Sequence, residues 1–182
     1  MSSRFEQTRS ETVYEAGFFT VFRRWFRHED GEEVERSIVS HPGAVGIVVL
    51  DGDRLWLVRQ PREAIGSPDL LELPAGKLDE EGESPLDTAK RELAEEIGKQ
   101  ASGWEELGSF YTSPGFTDEQ VHLFLATGIS DVEERPVLEH DERIDVEVRP
   151  LADLDAILAE TKDSKTLIGL YRLRERLTRR TG

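Results

Sequence analysis

Aromatic and β-branched residues are concentrated in short stretches of the chain that polar turn sequences separate. Residues 14–27 and 34–40 are two such stretches, and the HEDGEE segment between them contains Asp30-Gly31, a dipeptide that favours a hairpin turn. This pattern predicts a β-hairpin or a small meander at the start of the chain. Because an isolated hairpin is marginally stable in water, we expect it to pack against another surface.

The apolar stretches further along the chain predict a mixed sheet with helices. Residues 44–50 and 55–59 flank the turn DGDR and are expected to form a more buried hairpin. Further strands are predicted at 109–112, 121–126 and 144–148, and helices at 84–97, 151–161 and 164–180, the last with an apolar stripe of Leu167, Leu170, Tyr171 and Leu173. Strands before, between and after a central helix favour an α/β (α+β) sandwich with a mixed sheet. We expect two domains, an N-terminal antiparallel β subdomain at 1–42 and the sandwich at 43–182.

The predicted helix at 84–97 has a complete set of start and stop signals. Ser84 is expected to be the N-cap, Pro85 suits the first helical position, Asp87 completes a capping box, and Gly98 ends the helix. The apolar residues on one face of this helix should face the core; they are Leu86, Ala89, Leu93 and Ile97.

Three carboxylates converge beside that apolar face. Glu92 and Glu96 are four residues apart and Glu92 and Glu95 three, so all three side chains fall within one turn. Like charges at this spacing destabilise a helix by tenths of a kcal/mol or more per pair, ~0.2–0.5 kcal/mol in isolated helices. A divalent cation such as Mg²⁺, which takes carboxylate and carbonyl oxygens, would compensate the repulsion. The alternative is a solvated acidic face, which is common in a chain with 38 acidic residues.

Composition excludes several classes of protein. The 182 residues carry a formal net charge of −15, and a pI near 4.7 argues against a nucleic-acid binder with a basic face. The chain has no cysteine, which excludes disulfides, thiolate nucleophiles and Cys-ligated zinc. The longest apolar run, at 44–50, is too short to span a membrane, and no secretory signal pattern is present, so we expect a cytoplasmic protein without a membrane or nucleic-acid partner.

The segment around the carboxylates, LELPAGKLDEEGESPLDTAKRELAEEIGK, resembles the Nudix box, G-x5-E-x7-R-E-U-x-E-E-x-G-U with U apolar. The matching positions are Gly76, Glu83, Arg91, Glu92, Leu93, Glu95, Glu96 and Gly98. The chain departs from the box at two points, because six residues instead of five separate Gly76 from Glu83, and Lys99 stands at the last apolar position. The extra residue falls in a loop, where insertions are tolerated.

The resemblance implies a Nudix α/β/α sandwich and a metal-dependent pyrophosphatase. It assigns Glu92 and Glu96 as the principal ligands of Mg²⁺ or Mn²⁺, with two or three ions per site when substrate is bound. Glu95 is a further ligand or close support, and the backbone carbonyl of Ala75 often completes such a site. Arg91, with Glu83, is expected to hold the glutamates in place. Metal ions would bridge the acidic protein to an anionic diphosphate and activate the attacking water.

Segments outside the box resemble ADP-ribose pyrophosphatases. These are SPGFTDE at 113–119, VYEAGFFTVFRRWFRH, ERSIVSHPGAV and VRQPR. By position, the resemblance assigns Phe18 and Phe19 to the adenine, Arg36 and Arg62 to phosphate or ribose, and Ser113 and Glu119 to the terminal ribose. The alternatives are ordinary strand packing for the phenylalanines, a surface ion pair for either arginine, and a plain turn for the loop.

The general base is expected in the loop VLEHDERIDVEV. Related enzymes take a base or a further metal ligand from an acidic loop before the last strand. Glu142 matches best, Glu139 is an alternative, and His140 occupies a position where some relatives have Glu. A solvated charged loop is the other interpretation. The four histidines show no metal-ligand spacing.

Taken together, the resemblance predicts hydrolysis of ADP-ribose to AMP and ribose 5-phosphate. A broader nucleoside-diphosphate-sugar pyrophosphatase and a non-catalytic regulator that binds a nucleotide sugar remain alternatives. Related ADP-ribose hydrolases exchange their N-terminal segment between subunits, so the resemblance also implies a homodimer in which residues 14–40 help to build the partner's site.

Overall fold

The computed structural model describes residues 4–134, 136 and 143–180. The strands in these residues are β1 (Phe5–Glu15), β2 (Thr20–His28), β3 (Glu33–Ser40), β4 (Ala44–Asp51), β5 (Arg54–Arg62), β6 (Ser67–Glu72), β7 (Ala75–Lys77), β8 (Lys99–Tyr111), β9 (Gln120–Asp131) and β10 (Asp145–Pro150). The helices are α1 (Pro85–Ile97), α2 (Leu154–Glu160) and α3 (Ser164–Arg180), with short 3₁₀ turns at Glu63–Ile65 and Leu151–Asp153. The chain folds into two compact units, one built from the residues up to 43 with 110–120 and the other from 44–109 with the residues from 121 onward.

The first unit contains an antiparallel meander in the order β1-β2-β3. The predicted strand at 14–27 is therefore interrupted, because residues 16–19 form the turn between β1 and β2. Every residue of β1 is exposed. The sequence pattern did not indicate β1, since the polar run FEQTRSETVYE has no buried face to impose an alternation.

The second unit is a mixed sheet in the order β10-β5-β4-β9-β8, with β6 paired to β5 and β7 paired to β4. The central strands β4 and β9 run parallel, whereas β5 pairs antiparallel with β4, β6 and β10. Strand β4 is buried on both faces, as its continuous apolar run AVGIVVL predicts for a central strand.

The helices cover the two faces of this sheet. Alternate residues of β4 point to opposite faces, and on one face Val45, Ile47 and Val49 form a buried cluster with residues of α1. On the other face, α3 approaches Val48 and Leu123 closely at Gly169. This arrangement is the predicted α/β/α sandwich with an N-terminal antiparallel sheet.

The bounds of the helices agree with the predictions, whereas those of several strands do not. Helix α3 begins and ends as predicted, and the predicted helix at 151–161 is a 3₁₀ turn followed by α2. The predicted stripe on α3 was wrong at Tyr171, which is 53% exposed with its ring beside the guanidinium of Arg174. Strands β6 and β7 were not predicted, and β8 starts ten residues before the predicted 109, at Lys99. The domain boundary at 42/43 stays a prediction.

Within the described part of the chain, no helix has both the length and the apolar character needed to cross a membrane.

Candidate active site

Helix α1 is held in place by its caps and its apolar face. The Ser84 hydroxyl accepts a hydrogen bond from the Asp87 N–H at 3.2 Å, and Gly98 ends the helix in the left-handed conformation at φ 67°. These are the predicted caps. Ala89, Leu93 and Ile97 pack into the cluster on the sheet face. Glu92 and Glu96 are also among the buried residues of this helix.

Two of the predicted metal ligands are almost fully buried beside strand β7. Glu96 is 1% exposed and Glu92 8% exposed. One Glu96 oxygen accepts a hydrogen bond from the Ala75 N–H at 3.0 Å. Glu92 lies directly against Gly76, where a Cβ would be 1.9 Å from a Glu92 oxygen. Only glycine leaves room for the carboxylate at this point.

Arg91 connects the glutamates of α1 to the preceding loop. Its Nη1 donates to Glu92 at 2.8 Å and to Glu95 at 2.9 Å. Its Nε lies 3.3 Å from both oxygens of Glu83, which also accepts a hydrogen bond from the Thr88 hydroxyl. Burial alone would lower the pKa of Arg91, but the carboxylates around it raise that pKa above its usual value. One guanidinium thus orders three carboxylates.

This donor set fits a hard divalent cation. Glu83, Glu92 and Glu95 all pair with Arg91, so three partly buried carboxylates gather around one guanidinium. In residues 4–134, 136 and 143–180, no group of three Asp, Glu, His or Cys side chains is assembled as a complete metal site. Mg²⁺ commonly uses one or two carboxylates and completes its shell with water and phosphate oxygens. Glu92, Glu96 and the Ala75 carbonyl would hold such an ion, which lowers the pKa of a bound water and neutralises charge on a phosphoryl group.

Strand β6 ends in a carboxylate that is completely buried, Glu72. Both of its oxygens accept hydrogen bonds from Arg62, at 2.6 and 2.8 Å, and one also accepts from the Lys165 ammonium. Burial by itself raises the pKa of Glu72, but the hydrogen bonds from Arg62 and the charge of Lys165 outweigh it and hold that pKa below its usual range. The predicted substrate residue Arg62 is therefore fixed by a residue that was not predicted from the sequence. The sequence feature that could have indicated Glu72 is its position as a single acid between two leucines, Leu71 and Leu73.

In the first unit, Phe18 and Phe19 lie in the turn between β1 and β2. Phe18 is 48% exposed and Phe19 is half-buried. The Phe18 ring makes edge contacts with Phe19, at 5.2 Å between centroids, and with His41, at 5.4 Å. Both residues lie outside the strands, so ordinary strand packing does not describe them.

The loop at 113–119 is fastened to the end of β3. The Val39 N–H donates to the Phe116 carbonyl at 2.8 Å. The Asp118 carboxylate accepts from the Ser40 hydroxyl and the His41 N–H, each at 2.8 Å. Asp118 was not among the predicted residues, although it fixes the loop that carries two of them.

The two predicted residues of this loop have different partners. The Ser113 carbonyl accepts two turn hydrogen bonds, and Glu119 accepts from the Thr112 hydroxyl at 2.7 Å. Glu119 also lies 3.9 Å from His41 Nδ1. That nitrogen also accepts a hydrogen bond from the Gly43 N–H at 3.0 Å.

Arg36 is exposed on β3, opposite Arg24 of β2, and donates to the Glu35 carbonyl at 2.8 Å. Both arginines line a groove of about 310 Å³ within the first unit, together with Phe26 and Phe116.

The residues predicted as general base, Glu139 and Glu142, and the neighbouring His140 lie outside the described residues. Among the other predicted site residues, the structure brings two groups together. Ala75, Glu92, Glu95, Glu96 and Arg91 meet in the second unit. Phe18 and Glu119 lie beside His41 in the first.

Comparison with known proteins finds a matching family model and several named relatives. The model of the NUDIX domain family matches residues 40–170. The chain is 45% identical over 139 residues to the ADP-ribose pyrophosphatase of Mycobacterium tuberculosis, covering 76% of this chain and 66% of that protein. It is 42% identical over 147 residues to the ADP-ribose pyrophosphatase of Bacillus subtilis, covering 79% and 78%. It is 40% identical over 147 residues to the methanol dehydrogenase activator of Bacillus methanolicus, also covering 79% and 78%.

A solved structure supports the fold. The crystal structure of an ADP compounds hydrolase superposes with a TM-score of 0.85 at 23% identity, covering 98% of this chain and 96% of that one. The match to the family model includes the whole of α1 and the strand that Glu92 and Glu96 face. The chain belongs to the Nudix family.

Proposed function

We propose that this protein hydrolyses the diphosphate of ADP-ribose to AMP and ribose 5-phosphate in a metal-dependent reaction. The observation that carries the proposal is the pair of buried carboxylates, Glu92 and Glu96, against the Ala75-Gly76 strand. Buried acids with a net negative charge are costly unless a cation neutralises them. The names of the two pyrophosphatase relatives point to ADP-ribose as the substrate.

The metal site is proposed to hold Mg²⁺ or Mn²⁺, with two or three ions when substrate is bound. Glu92 and Glu96 would be the principal side-chain ligands, Glu95 a further ligand or support, and the Ala75 carbonyl a backbone ligand. Arg91 would hold these carboxylates in a fixed orientation, since it already donates hydrogen bonds to two of them. Its Nη2 is buried without a hydrogen-bond partner among the described residues, so a donor remains for a group brought by substrate.

The substrate contacts are proposed from position and exposure. Phe18 is the better candidate for stacking on adenine, because about half of its side chain is exposed. Arg62 and Arg36 would donate to phosphate or ribose oxygens. Ser113 and Glu119 would contact the terminal ribose from a loop that Asp118 fastens. Glu142, or Glu139 in its place, is proposed as the general base, and Glu142 also as a ligand of a further metal ion.

The homodimer is part of the same proposal. Residues 1–42 would form a dimerisation domain whose strands reach the partner's site. Strand β1 exposes Phe5, Val13 and Tyr14 by 50%, 55% and 59%. An exposed edge strand with apolar side chains is suited to association with another chain. Exchange of this segment would give a closed two-fold dimer.

Two alternatives differ in the fate of the bound nucleotide sugar. A broader nucleoside-diphosphate-sugar pyrophosphatase would cleave it at the same metal site with looser contacts to the sugar. A regulator would bind it without cleavage, and one relative is named an activator. The presence of all three box glutamates, Glu92, Glu95 and Glu96, argues for catalysis, because a module that only binds the nucleotide sugar has no need for them.

The test is a substrate panel. The purified protein is incubated with ADP-ribose, ADP-glucose, GDP-mannose and UDP-glucose in Mg²⁺ or Mn²⁺, and products are identified by ³¹P NMR and chromatography. We expect AMP and ribose 5-phosphate from ADP-ribose at a kcat/KM well above that for the other sugars. Equal rates on all four would establish the broader activity, and binding without products would establish the regulator. The cytoplasm is the proposed compartment, which cell fractionation would test.

A further inference from the structure

Glu72 has an unusual position for a carboxylate. Its side chain lies at the end of β6 and is 0% exposed. Its sequence neighbours Leu71 and Leu73 are core residues. Two cations reach it from different parts of the chain, Arg62 from β5 and Lys165 from the first turn of α3. A buried charge persists only when it is paired and hydrogen-bonded, so Glu72 depends on both partners.

The geometry of the Arg62–Glu72 pair leaves part of the guanidinium available. Arg62 uses Nε and Nη2 to donate to the two oxygens of Glu72. A guanidinium has five N–H donors in a fixed plane, so the two hydrogens on Nη1 and one on Nη2 are not taken by this pair. The Arg62 side chain is 43% exposed. The pair therefore fixes the plane of the guanidinium while its other edge remains accessible.

This guanidinium lies near the proposed metal site. Residues 73–75 connect Glu72 to the strand that faces Glu92 and Glu96, and the Ala75 N–H already donates to Glu96. The charge of Glu96 is also among those acting on Arg62. An anionic substrate bound to metal at α1 would have its phosphates within the field of this arginine.

We infer that Glu72 is a positioning residue, which fixes Arg62 so that its exposed edge meets a phosphate of the diphosphate substrate. The inference rests on the proposed function. Without the carboxylate, Arg62 would lose the two hydrogen bonds that fix its plane, while Lys165 would keep its ion pair with Asp163. Preorganised donors bind an anion at a lower entropic cost than mobile ones.

The first experiment measures the position of Arg62 without any turnover. In ¹H–¹⁵N spectra, the Arg62 Nε–H resonance is assigned by its absence from Arg62→Lys and its hydrogen exchange is followed. We expect slow exchange in the wild type and loss of the protected resonance in Glu72→Gln. Glu72→Asp is the second variant, because it keeps the charge but cannot reach both nitrogens. A resonance that stays protected in a folded Glu72 variant would overturn the inference.

The second experiment links this position to the substrate. We expect Glu72→Gln and Glu72→Asp to raise KM for ADP-ribose by about ten-fold or more, with a smaller change in kcat. Arg62→Ala should show a similar rise, and the double variant Arg62→Ala/Glu72→Asp should be no worse than the Arg62→Ala variant by more than about two-fold, because both act through one contact. Glu105→Gln on β8, which breaks a bidentate pair with Arg176 of α3, is the matched control and should keep the wild-type KM.

Chemical rescue separates positioning from a general structural role. Guanidinium ion at about 10 mM, far below the molar range that unfolds proteins, should restore activity to Arg62→Ala, because Glu72 still provides its binding site. It should not restore Arg62→Ala/Glu72→Asp, and urea, which is planar but uncharged, should restore neither. Equal rescue of both variants, or a folded Glu72→Gln enzyme with the wild-type KM, would overturn the inference.

Failure of the proposed function has a different signature. If the wild-type protein releases no AMP from ADP-ribose, the proposed substrate is wrong. The exchange of the Arg62 Nε–H still decides whether Glu72 fixes the guanidinium.

Discussion

The carboxylate of Glu92 occupies the space that a side chain at position 76 would need. A Cβ built on Gly76 would be 1.9 Å from one Glu92 oxygen and 2.0 Å from its carboxyl carbon. Real Cβ atoms do not approach other atoms so closely, so any substitution at 76 must displace the carboxylate from the strand. The glycine of the Nudix box is therefore required here by contact with a glutamate of the same box.

Gly76→Ala is expected to weaken metal binding and to lower turnover by about 10- to 100-fold, because the Glu92 carboxylate must leave the β7 strand. Mn²⁺ affinity, measured by electron paramagnetic resonance, checks the cause directly. Gly17→Ala is the control, since nothing lies within 4 Å of a Cβ there. A Gly76→Ala protein with wild-type Mn²⁺ affinity would contradict the assignment of Glu92.

Glu96→Gln is expected to lower kcat by about 100-fold or more while the protein stays folded. The glutamine oxygen can still accept the hydrogen bond from the Ala75 N–H, and the side-chain volume is unchanged, so no cavity opens. Turnover at saturating Mg²⁺ and the melting temperature are the measurements. Glu106→Gln, at an exposed position of β8, is the control. Near-native turnover of Glu96→Gln would show that the metal site is elsewhere.

The acidic loop is tested by a pair of variants. If Glu142 is the general base or a further metal ligand, Glu142→Gln should lower kcat much more than it changes KM, whereas Glu139→Gln should have little effect. Steady-state kinetics on ADP-ribose separate the two parameters. Small and equal effects of both substitutions would mean that the loop is solvated and that the base is another residue.

The exchanged dimer is tested by mixing two inactive variants. Glu96→Gln removes a proposed metal ligand, and the double variant Phe18→Ala/Phe19→Ala removes the proposed adenine contacts. If sites are shared, each mixed dimer has one site with both defects and one with neither. Statistical mixing should then restore about a quarter of wild-type activity, because half of the dimers are mixed and each has one intact site. Mixed dimers without activity, identified by mass spectrometry, would rule out sharing, and so would a monomer in solution.

The pH dependence of stability is predicted for Glu147. Burial alone raises its pKa, but hydrogen bonds from Arg149 and Arg59 hold that pKa below the ordinary 4.5. A depressed carboxyl pKa stabilises the fold at pH values above the unfolded pKa, and this contribution is lost as the pH falls through the folded pKa. Glu147→Gln should therefore lower the free energy of unfolding by about 1 kcal/mol at pH 7.

The same difference should shrink as the pH falls below the ordinary Glu pKa, because the carboxylate then takes up a proton first in the unfolded chain and at lower pH in the folded protein. Urea unfolding of both proteins at several pH values measures it. Glu106→Gln is again the control, with an expected change within about 0.5 kcal/mol, as for most surface substitutions. A difference that stays constant from pH 7 to pH 3 would mean that the charge of Glu147 does not contribute.

Local signals were sufficient for the helix that carries the proposed metal-binding residues. The N-cap at Ser84, the stop at Gly98 and the buried face at Ala89, Leu93 and Ile97 all follow from residues within a few positions of one another. Such interactions act between chain neighbours, and the same residues produce them in any fold that contains the helix. The sequence by itself therefore determined α1, its register and the group of carboxylates on it.

The surroundings of those carboxylates depended on contacts between distant parts of the chain. Glu72 meets Lys165 across 93 positions, and the Asp118 carboxylate reaches the His41 N–H across 77. No periodicity links such residues, because their proximity follows from how the strands and helices are connected. The exposed strand β1 was not predicted for a different reason. It has no buried face, so its sequence shows no alternation of apolar and polar residues. Sequence alone determined which helix carries the acids; tertiary structure decided that Glu92 packs on Gly76 and that Arg62 is fixed by Glu72, because a chain must fold before distant side chains can be paired.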